Sequence, residues 1–216
     1  MIDIGYKNEH FYENKIDGDA LQSVDEFKDL GVVIDNKPTF SSHITQMVAK
    51  AKQRLFLLFR TFRTRDKVPL LIAYKSFILP LVNYCSSVWS PHLLGDIYAM
   101  ESVQRFFIRK LAGFDNMTYP DRLKALNLPS LELRRLRSDL VFCFKIVNGL
   151  VAGDLSSYGL RQTKSSTRGH NQKLFVEHSK LDARRYFFSN RIIKPWNALP
   201  AETIASPFVF FFKALY

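Results

Sequence analysis

Two different spacings of apolar and polar residues divide the chain. Up to residue 40 the apolar positions come in short runs bounded by turn residues. The run 11–16 leads into Asp17-Gly18, residue types suited to the two positive-φ positions of a type I′ turn, and 20–24 reads as the return strand. A further strand-like run covers 27–34 and ends in the loop cluster Asp35-Asn36-Lys37-Pro38. Two or three strands cannot build an independent domain. Residues 1–40 are therefore expected either to pack on the remainder of the chain or to form the edge of a larger sheet.

From Ser41 the spacing turns helical, with Ser41 or Ser42 suited to the N-cap. Ile44, Met47, Val48, Ala51, Leu55, Leu58, Phe59 and Phe62 fall within an arc of about 120° at about 100° per residue, one buried face. A second helix is expected over 69–90, apolar nearly all round and hence central, with Pro80 kinking or splitting it. A third, over 94–111, should bury Ile97, Met100, Val103, Phe106, Phe107 and Leu111 and stop at Gly113. A short helix over 119–126 and a long one over 131–148, closed by Gly149, come next. Residues 150–173 are poor in large apolar side chains and read as a linker or mobile loop. Beyond them the pattern suggests a short strand at 174–176, a helix over 184–199 with Pro195 as an irregularity, and a Phe-rich helix starting at Ser206-Pro207. The expected fold is mainly α: a helical bundle (41–149), a small N-terminal antiparallel β segment (1–40), a linker (150–173) and a helical C-terminal extension (174–216) packing on the bundle.

Composition changes this picture at one point. Of 216 residues, 47% are hydrophobic and 24% charged, ordinary for a chain with a real core. The 31 Lys and Arg against 20 Asp and Glu leave a net charge of +11. That excess is uneven: residues 1–40 hold 4 basic and 9 acidic side chains, whereas residues 41–147 hold 17 and 7. A large positive excess speaks about partners, and its sign points to nucleic acid or an anionic surface. The most apolar stretch, 68–89, contains Pro69, Lys75, Pro80 and Asn83, so a buried kinked helix is expected there rather than a membrane span. No signal-peptide pattern opens the sequence, and two separated cysteines, Cys85 and Cys143, argue against a disulfide framework. A nuclear or cytoplasmic location is expected.

Enzyme signatures are missing. There is no Gly-rich phosphate loop, no His-Glu-x-x-His, no Gly-x-Ser-x-Gly, and no adjacent pair of aspartates. The five histidines are scattered without ligand spacing. What remains is basic helix flanks: Lys50, Lys52, Arg54, Arg60, Arg63 and Arg65; then Arg105, Arg109 and Lys110; then Arg134, Arg135 and Arg137. Such rows suit phosphate contacts, while a merely solvated helix face is the plainer explanation for any one of them.

Taken in order, several segments resemble the C-terminal portion of the reverse transcriptase of jockey-like, LINE-type (non-LTR) retrotransposons. They are Phe27-Lys-Asp-Leu-Gly-Val-Val-Ile-Asp35; His43-Ile44 through Lys50-Ala51 and Arg54-Leu55; Tyr74-Lys-Ser-Phe-Ile-Leu-Pro80 with Tyr84 and Val88-Trp-Ser-Pro91; Glu101-Ser-Val-Gln-Arg105; Tyr119 with Arg122-Leu-Lys-Ala-Leu126; Leu128-Pro-Ser-Leu-Glu-Leu-Arg-Arg135; and Arg184 with Phe187-Phe188 through Arg191, then Trp196-Asn197 and Leu199-Pro200. The resemblance implies a thumb-like bundle joined to the last strands of a palm. It places Leu30-Gly31 in a primer-grip turn, where Gly permits close backbone approach. It also implies that Lys50, Lys52, Arg54, Arg60, Arg63, Arg65, Arg105 and Arg109 meet the sugar-phosphate backbone of an RNA–DNA or RNA duplex, weakly and without reading sequence. The family's Phe/Tyr-Ala-Asp-Asp motif, which holds Mg²⁺ in the palm, has no counterpart here. The chain by itself is therefore expected to be catalytically silent, to need no cofactor, to take no small-molecule substrate, and to have the palm as its natural packing partner. The competing expectation is a non-catalytic interaction module or a residual product with no selected function.

Overall fold

The computed structural model describes residues 15–20, 24–36, 39–163, 169–206, 209 and 212. Most of them are helical, and the strands form two small antiparallel hairpins. The chain divides into two compact units, residues 1–85 with 91–126, and residues 86–90 with 127–216.

In the first unit, β1 (Lys15–Ile16) pairs with β2 (Asp19–Ala20) across Asp17 and Gly18, whose φ values are 52° and 93°. The outer parts of the expected strands, 11–14 and 21–23, lie outside the described residues. The run 27–34 is not one strand but a second hairpin. β3 (Glu26–Asp29) turns at Leu30-Gly31 into β4 (Val32–Asp35), pairing Lys28 with Val33 and Asp29 with Val32. Both turn residues have positive φ, 44° and 88°, the backbone of a type I′ turn. Sequence periodicity missed this turn because Leu at its first position is not a turn residue. Val32 and Val33 are buried, and β4 packs on α1 (Ser41–Thr61).

Ile44, Met47, Val48, Ala51, Leu55 and Leu58 of α1 are buried, as the apolar arc requires; Phe59 and Phe62 at its end are half-buried. Neither expected serine caps the helix. Phe40 (φ 59°) occupies the N-cap, and Ser41 instead donates through Oγ to Asp96 Oδ2 at 2.6 Å, tying α1 to α5 (Leu94–Arg109). The expected second helix is divided into α2 (Lys67–Ala73), a π-helical turn (Tyr74–Ile78), and α3 (Leu79–Asn83); Cys85 (φ 51°) interrupts the chain before α4 (Ser86–Trp89). The widened turn immediately precedes Pro80, which has no N–H to donate and would clash with the preceding carbonyls in a regular helix. Tyr74 within that turn is fully buried, stacks on Phe107 of α5 at 4.1 Å and 8°, and donates its hydroxyl to Gln104 Oε1 at 3.0 Å. α6 (Tyr119–Ala125) starts where Thr118 accepts from the Asp121 amide.

The second unit is built on α7 (Leu131–Val147), N-capped by Ser130 and followed by Gly149 at φ 63°. The sequence pattern groups this helix with those before it; in the structure it belongs to residues 127–216. Its Leu140, Cys143, Phe144 and Ile146 share a core with Leu160, Leu174, Phe188, Ile192, Ile193 and Trp196. The expected helix over 184–199 is three short ones, α8 (Asp182–Arg185), α9 (Phe188–Arg191) and α10 (Ile193–Asn197), with α11 (Ala201–Ile204) after them. The described part of 150–173 is fastened rather than loose. Leu160 and His170 are buried, Trp196 Nε1 donates to Gln172 O at 2.8 Å, and Asn197 bridges both backbone groups of Leu174 at 2.8 Å. The expected strand at 174–176 is a single bridge between Gln162 and Leu174. Of the last Phe-rich helix, residues 207–208, 210–211 and 213–216 lie outside the described residues.

Candidate nucleic-acid interface

The buried arc of α1 leaves two flanks, and its cations fall on both. At about 100° per residue, Lys50 and Arg54 lie on one side of the arc, Lys52 and Arg63 on the other, and Arg60 faces away from it. Each flank borders a groove within the first unit.

The first groove has a volume of about 490 Å³ and brings the β3–β4 hairpin against α1. Lys28, Gly31, His43, Lys50, Arg54 and Tyr84 are among its walls. Gly31 thus shares a groove with Lys50 and Arg54, residues far apart in sequence. The turn is held from beneath: the Tyr84 hydroxyl donates to Leu30 O at 2.9 Å, while the Leu30 side chain is 83% exposed. A methyl group at Gly31 would meet the Tyr84 ring at 3.5 Å, an ordinary contact, so glycine is needed for its φ rather than for space. The Val33 amide donates to Nδ1 of buried His43 at 3.3 Å, which fixes that ring as acceptor. Burial first, and Lys28 second, hold His43 below its ordinary value of 6.5. Arg54 donates to Phe77 O at 3.0 Å, a carbonyl of the π-helical turn.

The second groove, about 440 Å³, runs along the other flank. Lys52 of α1, Ser102, Arg105, Phe106 and Arg109 of α5, Met117, and Tyr119 and Arg122 of α6 line it. Arg105 lies over the Tyr119 ring at 4.5 Å, Tyr119 donates to Glu101, and Arg122 donates to Asp115 O at 3.1 Å. Burial, then the Glu101 hydrogen bond, push the Tyr119 phenol well above its ordinary value, so it stays protonated and keeps that bond.

Of the eight cations expected to meet nucleic acid, two line the first groove (Lys50, Arg54) and three the second (Lys52, Arg105, Arg109). Arg60 and Arg63 are exposed but line neither. Arg65 turns back on α1, donating to Phe59 O at 3.3 Å and Phe62 O at 3.4 Å with its guanidinium 5.1 Å from the Phe59 ring, where a cation suits the helix C-terminus. In the third basic group, Arg135 is buried, so it is not a surface contact. Sequence reasoning passed over Lys28 and Arg122. Lys28 could have been found from its place two residues before the turn; Arg122 stood in a family-like segment, but only the packing of α6 brings it to Arg105.

Among the described residues no group of three or more His, Cys, Asp or Glu converges to hold a metal, and no helix is long and apolar enough to cross a membrane.

No family model and no solved structure matches the chain. Over 124 residues, 56% of its length, the chain is 27% identical to an uncharacterized protein of Caenorhabditis elegans, of which it spans 63%.

Proposed function

We propose that this chain is the thumb-side portion of a LINE-type reverse transcriptase and that it holds a template–primer duplex through the sugar-phosphate backbone. Catalysis is not assigned to it, because its carboxylates are dispersed. One juxtaposition carries the reading: an exposed two-residue turn of positive φ, Leu30-Gly31, stands in one groove with Lys28, Lys50 and Arg54. A glycine-containing turn lets backbone approach a nucleic-acid strand closely, and flanking cations neutralise phosphates without reading bases. The ordered run of family-like segments supports the same reading.

Binding of an RNA–DNA hybrid to the purified chain, followed by fluorescence anisotropy across a salt series, tests it. Log affinity should fall linearly with log salt, and Lys50→Ala with Lys28→Ala should weaken binding and flatten the slope by about 2. A flat salt dependence, or a double variant that binds as tightly as the parent, sinks the proposal. A groove in which Leu57, Leu58, Phe62 and Phe77 stand with Arg54 and Thr61 favours the second reading, a protein-interaction module. That reading expects salt-insensitive behaviour and no effect of either lysine.

A further inference from the structure

The two flanks of α1 differ in more than position. The hairpin flank carries cations beside backbone and a tyrosine. The opposite flank alternates cations with aromatic rings. Lys52, Phe56, Phe59 and Arg63 succeed one another at spacings of four, three and four along α1, so they form a single row. Ser102, Arg105, Phe106 and Arg109 form the matching row on α5. The rows meet through their rings, with Phe56 5.2 Å and Phe59 6.1 Å from Phe106. Phe56 is 61% exposed although Phe106 gives it a partner on one side. Arg105, 4.5 Å over the Tyr119 ring, adds a second stacked pair, and among the described residues no carboxylate lines the groove.

From this arrangement we infer that the α1/α5/α6 groove binds single-stranded nucleic acid, with phosphates on Lys52, Arg109 and Arg122 and an unpaired base stacked on Phe56, which borders the groove through its contact with the wall residue Phe106. The inference rests on the proposed function only in taking nucleic acid as the ligand. A duplex hides its base faces, so exposed aromatic surface interleaved with cations is of use to a strand whose bases are free. The two flanks of α1 thereby serve different forms of nucleic acid: paired strands beside the hairpin, an unpaired strand beside α5.

The test compares two labelled oligonucleotides on the full chain at one salt concentration: a single-stranded oligouridylate and a blunt RNA–DNA hybrid. Phe56→Ala combined with Arg109→Ala should weaken the single strand at least about 10-fold and the hybrid less than about 2-fold. Phe56→Trp alone should retain or improve single-strand binding, since it keeps the stacking surface. Both side chains are exposed, and unchanged circular dichroism and thermal midpoint confirm that the variants fold. Equal losses for both ligands, an unchanged single-strand affinity in the double variant, or displacement of the oligouridylate by polyglutamate at equal charge concentration would each overturn the assignment. If the single strand is lost in the Phe56/Arg109 variant while the hybrid shows no salt dependence, the duplex reading fails and the single-strand site stands.

Discussion

Residues 41–126 hold 13 basic and 5 acidic side chains; residues 127–216 hold 14 and 6. Both regions have a net charge of +8, and the structure uses it in opposite ways. In the second region Arg184, Arg185 and Arg191 are matched by carboxylates. Arg191 contacts Asp139 through Nε and Nη2, both at 3.0 Å, and donates to Ser87 O at 2.8 Å; the Asp139 side chain is only 4% exposed, and buried Arg135 adds its charge beside it. Nearer the surface Arg184 pairs with Glu177, and Arg185 with Asp182. In the first region the described partners of Arg54, Arg65 and Arg122 are backbone carbonyls, and Arg105 lies on a phenol ring. Neutral partners orient a guanidinium without cancelling its charge. Equal net charge therefore says nothing about where an anion would bind; the identity of each cation's partner does.

The contrast between the regions is most exposed to test at Asp139. Asp139→Ala strands buried arginine charge and should cost about 3–5 kcal/mol in chemical denaturation. A loss under about 1 kcal/mol means the pair does not lock the second region. Next comes the hairpin turn. Gly31→Val places a β-branched residue at φ 88° and should cost about 1–3 kcal/mol, while Leu30→Ala, altering an exposed side chain, stays within about 0.5 kcal/mol. Equal costs for the two would locate the strain elsewhere.

A smaller effect concerns pH. His43 has a lowered value in the folded protein, so the folded chain binds fewer protons than the unfolded one below about 6.5. The stability this contributes is present above that pH and is lost as pH falls through the folded value. Protonation also converts Nδ1 from acceptor to donor and breaks the bond from the Val33 amide, so hydrogen exchange at Val33 should accelerate on acidification. Exchange that tracks only the intrinsic pH dependence of a free amide contradicts this. The smallest effect on stability is expected for Arg60→Ala with Arg63→Ala, within about 0.5 kcal/mol, since both are exposed. Loss of Arg63, on the α5 flank, should nevertheless lower single-strand affinity and reduce its salt slope by up to about 1, whereas Arg191→Ala should cost stability and leave binding unchanged. A stability loss comparable to that of Arg191→Ala would erase the contrast between the regions.

The mainly helical class and the long helices were legible because burial on one face imposes its period on the sequence. α1, α5 and α7 were each expected to within a few residues. The errors fall where local signals compete with packing. Leu30 hid the second hairpin because a leucine at φ 44° is set by the turn's surroundings, including the bond from Tyr84, and not by its own preference. Residues 150–173 looked loose because they are small and polar, yet Leu160, His170 and the Gln172 carbonyl fasten their described parts to partners distant in sequence. The basic residues were all visible as cations. Their sorting into two grooves, a C-terminal cap and a buried pair was not visible.

Periodicity and composition by themselves determined that this chain is a basic, helical protein with a small strand region at its start, because apolar spacing and net charge are properties of the order of residues. Only the tertiary structure decided that Gly31 shares a groove with Lys50 and Arg54, that Lys52 shares another with Arg109, that Phe56 packs on Phe106, and that Arg191 pairs with Asp139. The physical reason is that a cation's role depends on its nearest acceptor, and here those acceptors come from elements tens of residues away.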